Sequence, residues 1–572
     1  MGSHFARLAA TALVAGVCSA ALLAGNGAPV ADAAMARDTN ATRTLLRAGA
    51  DVNAAQGDGM TALHWAATHG DADLARMLLY AGANVRATTR LGGYTPLHVA
   101  SQAGNASVMK TLLDGGAALD TRTSTGATPL MLAAASGNVD AVSALLERGA
   151  DPNATENANG QTALMFAAAL DRAEVVATLV AHGADAALTS RVVDISGVIA
   201  PEDKIQQEIR DAQNARSAGA GARKPPAPKE VEIPGVTRPL TYNELIGRQG
   251  GLTALHFAAR QGAFATVRTL VERGADVNRV SPADAVSPLL IASINGQFDI
   301  AKYLLERGAD PNLASEGGVT PLYAALNVEW APRMFYPQPR AQLQQQTSYL
   351  ELMQTLLDSG ADPNARLRRK LWYTQFNFDL LRIDESGATP FWRAAYASDI
   401  EAMKLLLAHG ADPNIPTSKP AKNTDRQGGT RGSDETRDHS GLPPIPVGGP
   451  GIPPLLATAG VGYGEGFAGN AHRFAPTGML AAVKFLVEEL HADVNAVDHE
   501  GNTAVHHAAA RGDNEMIRYL VSKGADVKKV NRGGQTTVDM ANGPVQRTQP
   551  FPETIALLES LGAKNNRKCV SC

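Results

Sequence analysis

Apolar positions along the chain follow one pattern that returns at intervals of 33 or 34 residues. One instance, TALHWAATHGDADLARMLLYAGANV, begins at Thr61, and the next begins at Thr95. After the threonine, a leucine and a pair of alanines recur at helical spacing, and a later Leu-Leu pair marks the buried face of a second helix. The pattern therefore predicts two short helices joined by a turn in every unit.

Polar residues and glycines mark the ends of these predicted helices. The threonine suits an N-cap, and the Pro or Ala that follows occupies the first helical position, where a missing N–H costs nothing. Gly70 ends the first helix, and Gly82 suits the left-handed position after the second. Asp and Asn then open a turn toward the next unit. Because one unit cannot bury its own apolar face, neighbouring units must stack.

The unit occurs about twelve times. A degenerate first copy, AAMARDTNATRTLLRAGADVN, ends at Asn53. The other copies begin at Thr61, Thr95, Thr128, Thr162, Thr253, Ser287, Thr320, Thr389, Pro453, Thr503 and Thr536. The spacing and the text T-[PA]-L-H-x-A…LL…GAD[VP]N resemble the ankyrin repeat. The resemblance implies an all-α solenoid of about 12 helix–turn–helix units with projecting β-hairpin fingers, several insertions and a concave binding face.

Departures from the repeat divide the chain into segments. They are a signal peptide at 1–33, repeats 1–5 at 34–187, an insertion or linker at 188–248, repeats 6–9 at 249–414 with insertions at 328–349 and 365–385, a Gly/Pro-rich insertion at 415–450 that we expect to be disordered, repeats 10–12 at 451–563 with a further insertion at 461–477, and a C-terminal tail at 564–572.

The first thirty residues are typical of a secretory signal. Arg7 precedes an uncharged run to Ala31, and an A-x-A match ends at Ala33. We therefore expect an exported protein, periplasmic or secreted, with an uncleaved membrane anchor as the alternative. No later run is apolar enough to span a membrane. A cut near Ala33 would fall inside the first helix of the first copy, which would make that copy an imperfect cap.

Charge and cysteine content narrow the function classes. The net charge of -4 and the pI near 6.4 argue against nucleic-acid binding. Beyond the signal, the only cysteines are Cys569 and Cys572 in a terminal C-x-x-C, where a disulfide is possible in an exported protein. Nearby Arg567 and Lys568 would favour thiolate, so thiol-redox activity stays an alternative.

The insertions at 328–349 and 365–385 lie in a stretch with an unusual concentration of aromatic residues. Twelve of the 28 aromatics fall between Tyr323 and Tyr396, next to a cluster of arginines. Aromatic and Arg side chains dominate binding hot spots. Candidate partner-binding residues are therefore Trp330, Phe335, Tyr336, Arg368, Arg369, Trp372, Tyr373, Phe376 and Trp392. The alternative is that these aromatics pack against each other as a satellite core.

The resemblance adds candidates along the fingers and predicts little catalytic chemistry. By position alone, partner contacts would include Gln56, Asp58, Arg90, Tyr94, Thr123, Ser124, Asn157 and Asn159. In the ankyrin family the His of T-P-L-H is structural, which would apply to His64, His98, His256 and His506. His507 lies near His499 in the sequence, but the two form no known metal-binding or acid–base motif. The G-x-G-x-x-G that begins at Gly464 follows no predicted strand and opens no predicted helix, so it does not indicate dinucleotide binding.

The sequence as a whole favours an exported scaffold for protein–protein interaction. We predict no catalytic, cofactor-binding or metal-binding residues, one or more protein partners, no nucleic-acid partner, and no membrane span after signal cleavage, and we assume a monomer. The alternative is a thiol-redox protein, or a small-ligand or glycan binder that uses the aromatic cluster at 330–396.

Overall fold

The computed structural model describes residues 27–198, 205, 209, 233–331, 340–371, 383–421, 438–462, 473–543 and 549–568. These residues belong to two compact units, an N-terminal unit that ends at Leu188 and a C-terminal unit that begins at Thr189. The boundary lies beside the predicted start of the first insertion. No helix in the described ranges is long and apolar enough to cross a membrane.

The N-terminal unit contains five pairs of short helices in its described part. They are α1 (Pro29–Met35), α2 (Thr39–Arg47), α3 (Ala62–His69), α4 (Ala72–Tyr80), α5 (Pro96–Ala103), α6 (Ala106–Asp114), α7 (Pro129–Ser136), α8 (Val139–Leu146), α9 (Ala163–Ala169) and α10 (Ala173–Ala181). The first helix of each pair packs against the first helices of its neighbours, and from α4 onward the second helices pack against each other in the same way. Leucines at equivalent places in successive pairs, such as Leu63 and Leu97, fill the core between them.

The predicted helix ends are confirmed. Thr95 is extended, and its Oγ1 accepts a hydrogen bond from the His98 N–H at the start of α5. Gly70 follows α3 with φ 71°, a left-handed conformation that a residue with a Cβ adopts only at a cost. Helix α1 confirms that Ala33 lies inside the first helix of the first copy, where Val30, Ala31 and Ala34 are buried.

Hydrogen bonds join each repeat to the next at both edges of the N-terminal unit. At the finger tips, a main-chain N–H donates to the preceding tip, from Arg90 to Asp58 and from Ser124 to Gly92, both at 2.8 Å. At the opposite edge, the Asn153 side chain donates to the Gly183 carbonyl at 3.0 Å and accepts from the Asp185 N–H at 2.8 Å. This explains the asparagine that ends the GAD[VP]N text.

The C-terminal unit contains seven helix pairs in its described part, preceded by a short helix and a two-stranded ladder. The elements are β1 (Val192–Asp194), α11 (Tyr242–Ile246), β2 (Arg248–Gly250), α12 (Ala254–Gln261), α13 (Phe264–Glu272), α14 (Pro288–Ile294), α15 (Phe298–Glu306), α16 (Pro321–Glu329), α17 (Tyr349–Asp358), α18 (Pro390–Tyr396), α19 (Ile400–Ala408), α20 (Pro454–Thr458), α21 (Met479–Lys484), which continues as a π turn over Phe485–Glu489, α22 (Ala504–Ala510), α23 (Asn514–Ser522), α24 (Thr537–Asn542) and α25 (Pro552–Ser560).

The insertions leave the repeats at finger tips or between the two helices of a pair. Strands β1 and β2 are antiparallel, with Val192 opposite Gly250, and lengthen the finger that carries the first insertion. A 3-10 turn, Ala341–Gln344, lies between α16 and α17. Two parts of the Gly/Pro-rich insertion at 415–450, residues 415–421 and 438–450, lie in the described ranges. Their main-chain carbonyls accept hydrogen bonds from the Lys419 side chain of the same insertion and from Arg532 of a later finger, and prolines restrict their backbone.

Candidate protein-interaction surface

One side chain per repeat forms a row along the first helices of the second to fifth repeats of the N-terminal unit. In each repeat it is the fifth residue, when the N-cap threonine is counted as the first. We call this set of residues the inner row. In the N-terminal unit its members are Trp65, Val99, Leu132 and Phe166, and all four are partly exposed. Trp65 is held by a hydrogen bond from Nε1 to Gln56 Oε1 at 2.8 Å. Four apolar side chains are thus presented to solvent in successive repeats.

The side chains at the equivalent positions are buried in the C-terminal unit. They belong to Phe257, Ile291, Ala324, Arg393, Ala457, His507 and Met540. Phe257 is 6% exposed, with the Arg260 guanidinium 5.2 Å from its ring centre, and Met540 is 3% exposed. The two units therefore differ in whether this row can be contacted.

Trp392 belongs to the core. Its side chain is fully buried, it stacks on Tyr396 at 5.3 Å with 20° between the rings, and Nε1 donates to the Ile452 carbonyl at 2.8 Å. Trp392 occupies the place that histidine takes in T-P-L-H, which points into the stack in every repeat. Trp392 thus packs in the core of its own repeat, and its side chain is not exposed for contact with a partner.

Arg393 and Trp330 extend the packing around α16 and α18. Arg393 is 4% exposed, and it donates from Nε to Asn327 Oδ1 at 2.6 Å and from Nη2 to the Trp330 carbonyl at 2.8 Å. Trp330 is half-buried and donates from Nε1 to Asp399 Oδ2 at 2.8 Å. The Tyr349 hydroxyl donates to the same oxygen, and burial together with Asp399 raises the pKa of Tyr349.

Arg368 and Arg369 lie on a finger of the C-terminal unit, away from Trp330. The Arg368 N–H donates to the Gly317 carbonyl at 2.8 Å, and its side chain is exposed. Arg369 forms an ion pair with Asp284 at 3.3 Å. Burial raises the pKa of Asp284 to about 6, and Arg369 opposes that rise. Since Trp330 follows the far end of α16, about 13 Å along the helix from this finger, these residues form no single patch.

The remaining sequence candidates fall outside the described residues. Among the aromatics these are Phe335, Tyr336, Trp372, Tyr373 and Phe376. Cys569 and Cys572 also lie there, as does the loop that begins at Gly464. Their roles stay predictions.

The finger candidates of the N-terminal unit take part in the ladder of tips. Arg90 and Ser124 donate their main-chain N–H groups to the preceding tip, and the Asn157 N–H donates to the Thr125 carbonyl at 3.1 Å. Asp58 and Gly92 supply the accepting carbonyls. The main chain of these residues fixes the spacing of the fingers, while the side chains of Arg90 and Ser124 remain exposed.

The structural role expected for the repeated histidines is confirmed. His64 Nδ1 lies 3.2 Å from the Thr61 nitrogen, and Nε2 lies 3.0 Å from the Tyr94 carbonyl of the next finger. His98 and His256 repeat this arrangement, and His506 caps α22 through Thr503. Burial lowers the pKa of all four, to about 4 for His256 and His506. Such histidines are neutral near pH 7.

His507 pairs with a carboxylate and not with His499. Its Nε2 lies 3.1 Å from Asp498 Oδ2, and both side chains are buried. The described ranges contain no group of three or more His, Cys, Asp or Glu side chains that could hold a metal ion. Hydrogen bonds to His507 lower the pKa of Asp498 although burial opposes this. The pair is thus a buried polar contact within one finger and its helix.

The inner row is the feature that reasoning from composition missed. Arginine and aromatic density drew attention to 330–396, whereas Val99 and Leu132 are unremarkable residues. Aligning the copies on the N-cap threonine identifies the row, because it brings these four apolar residues to the same position of their repeats. The alignment alone does not show that they are exposed, since the same position is buried in the C-terminal unit.

Comparison with known proteins agrees with this architecture. The model for ankyrin repeats (3 copies) matches residues 30–123, 97–190, 237–315 and 471–567, and the model for a single ankyrin repeat matches 386–418. The chain is 32% identical over 136 residues to rat ankyrin repeat and SAM domain-containing protein 6, which is 24% of this chain and 13% of that protein.

Two further relatives match over short stretches. The Caenorhabditis elegans ankyrin repeat and LEM domain-containing protein 1 homolog is 47% identical over 53 residues, 9% of this chain and 8% of that protein. Alpha-latrocrustotoxin-Lt1a of Latrodectus tredecimguttatus is 27% identical over 158 residues, 28% of this chain and 8% of the toxin. The chain thus spans at most 13% of the length of these relatives. With ankyrin models matching along most of its length and helix pairs stacked as the repeat requires, the chain belongs to the ankyrin-repeat family.

Proposed function

We propose that this chain is an exported protein-interaction scaffold whose partner docks on the inner row and finger tips of the N-terminal unit. Ankyrin repeats and the ankyrin-containing relatives support a scaffold role. The observation that carries the choice of surface is the contrast between the two units. The inner row is partly exposed in all four members of the N-terminal unit and buried in all seven of the C-terminal unit.

The chemistry of the open row suits an uncharged, apolar partner segment. Trp65 and Phe166 supply aromatic area, Val99 and Leu132 supply aliphatic area, and Trp side chains are frequent hot spots. A standard interface of about 800 Å² per partner covers only a few repeats. The ladder of main-chain hydrogen bonds between tips holds the fingers at fixed spacing, so a partner meets a surface that needs little reordering.

Export is the part of the proposal that rests on the leader alone. Arg7 and the uncharged run that ends in the A-x-A match support it. Cell fractionation tests it separately from partner binding. We expect the protein in the periplasmic or secreted fraction, and recovery only from the cytoplasm would overturn the localisation without affecting the surface.

Crosslinking at native expression level, read by mass spectrometry, tests the docking surface. A Leu132→Lys/Phe166→Lys variant places charge on the open row, and we expect it to lose capture of a partner that the unmodified protein captures reproducibly. Tyr80→Lys is the matched control, since Tyr80 is 96% exposed on the second helix α4 of the same unit. Equal capture by both variants, or crosslinks confined to the segments around 328–385, would contradict the proposed surface.

A further inference from the structure

The insertion at 415–450 returns to the repeats as a proline-rich segment, residues 438–451, which we call the proline strap. Its sequence is DHSGLPPIPVGGPG. The strap lies in the C-terminal unit and is no part of the inner row, so a role for it is independent of the proposed function.

A later finger binds the strap near its start, and the outgoing segment of the strap's own finger binds it near its end. Near its start, Arg532 donates from Nη2 to the Pro443 carbonyl at 2.7 Å, pairs with Asp438, and accepts at its own carbonyl from the His439 N–H at 3.1 Å. Near its end, the Gly448 N–H donates to the Lys419 carbonyl at 2.9 Å, and the Gly451 N–H to the Thr417 carbonyl at 2.7 Å. The strap therefore runs across finger tips with both ends fixed.

Between these anchors three prolines restrict the backbone. Prolines at 443, 444 and 446 fix φ near −65°, and the helical region is disfavoured for the residues before them. The sequence of residues 442–446 therefore favours a polyproline II helix, which has three residues per turn. A turn comes next, in which the Gly449 N–H donates to the Pro446 carbonyl at 3.0 Å and Gly448 has φ 80°.

Side-chain exposure follows the same period of three. Leu442 and Ile445 are half-buried and form the edge that faces the fingers. Pro443 and Pro446, one turn apart, are exposed along the next edge, and Pro444 is exposed on the third. The P-x-x-P edge is thus directed away from the protein and accessible along its length.

Main-chain carbonyls of the strap are largely satisfied, with one exception on its exposed side. The carbonyls of Leu442 and Pro443 accept from Arg532, that of Ile445 accepts from the Lys419 Nζ, and that of Pro446 accepts within the turn. The Pro444 carbonyl accepts no hydrogen bond from the described residues. An indole or phenol donor of a partner could bind there while its ring packs on the prolines.

We infer that the proline strap is a preformed ligand for a protein domain with an aromatic-lined groove that reads polyproline II segments. Such grooves recognise P-x-x-P through ring contacts with the exposed prolines and hydrogen bonds to ligand carbonyls. The anchors at both ends hold the segment in its bound conformation before the partner arrives, which removes part of the ordering cost of binding.

The test measures binding of the full chain to a panel of purified SH3 and WW domains by biolayer interferometry. We expect at least one domain to bind with a Kd below about 100 µM. The Pro443→Ala/Pro446→Ala variant should weaken that binding at least tenfold, because it removes the exposed edge. Pro282→Ala, an exposed proline on another finger tip, is the matched control and should bind as the unmodified chain does.

Two results would overturn the inference. One is that no domain in the panel binds at 100 µM, and the other is that binding is insensitive to the double variant. Partner capture through the inner row should be the same with and without the double variant, so failure here and failure of the proposed docking surface are distinguishable.

Discussion

The histidine of T-x-L-H shows how one buried residue couples a helix cap to the next repeat. His256 lies against the Thr253 hydroxyl at 2.8 Å and the Val286 carbonyl at 3.0 Å, and it is fully buried. Methionine takes the same place in two other repeats, at Met131 and Met165. The fold therefore tolerates an uncharged, non-titrating side chain there, and histidine adds a pH dependence that methionine lacks.

His256 should make stability fall as the pH is lowered. Its pKa is about 4 in the folded chain against 6.5 ordinarily, so between these values the unfolded state binds a proton that the folded state does not. The resulting loss of unfolding free energy is small above pH 6.5 and reaches about 2 kcal/mol at pH 5. We expect His256→Met to reduce by that amount the loss of unfolding free energy between pH 7 and pH 5, measured by urea unfolding.

Leu290→Met is the control for this substitution, because Leu290 holds the equivalent place in the next repeat and does not titrate. It should keep the pH dependence of the unmodified chain. The same pH dependence in His256→Met as in the control would contradict a neutral, buried His256.

Helix boundaries were the most predictable elements, because threonine caps and glycine ends act locally. Whether an insertion is exposed was not predictable, because burial depends on residues far apart in the chain. Arg393 and Asn327, 66 residues apart, meet at 2.6 Å, and this contact has no local sequence signal. The burial of Trp392 was predictable from its register within the repeat, whereas composition alone suggested a contact with a partner.

Helix α1 offers a test of where the folded array begins. Val30, Ala31 and Ala34 are fully buried, and α1 packs on α3. A chain that starts at Ala34 lacks most of α1, whereas one that starts at Gly27 keeps it. Burying a valine is worth about 2 kcal/mol, so we expect amide hydrogens of α3 to exchange roughly 30-fold faster in the shorter chain. Equal exchange rates would show that α1 adds nothing to the stability of α3.

At the scale of the whole molecule, the same repeat serves two purposes. In the N-terminal unit it leaves the inner row open, and in the C-terminal unit it buries that row. The repeat count and the division near residue 188 follow from the sequence pattern. The difference in openness does not, since Phe166 and Phe257 are the same residue at the same place in their repeats. The two phenylalanines are distinguished by the set of side chains that covers each, such as Arg260 over Phe257.

Hydroxyl-radical footprinting of the free protein, read residue by residue by mass spectrometry, measures most directly which side chains of the inner row are exposed. It compares side chains of the same row and chemistry and needs no knowledge of a partner. We expect Trp65 and Phe166 to be oxidised readily and Phe257 and Met540 to be protected. Oxidation of Phe257 to the same extent as Phe166 would contradict the claim that only the N-terminal unit presents an open inner row.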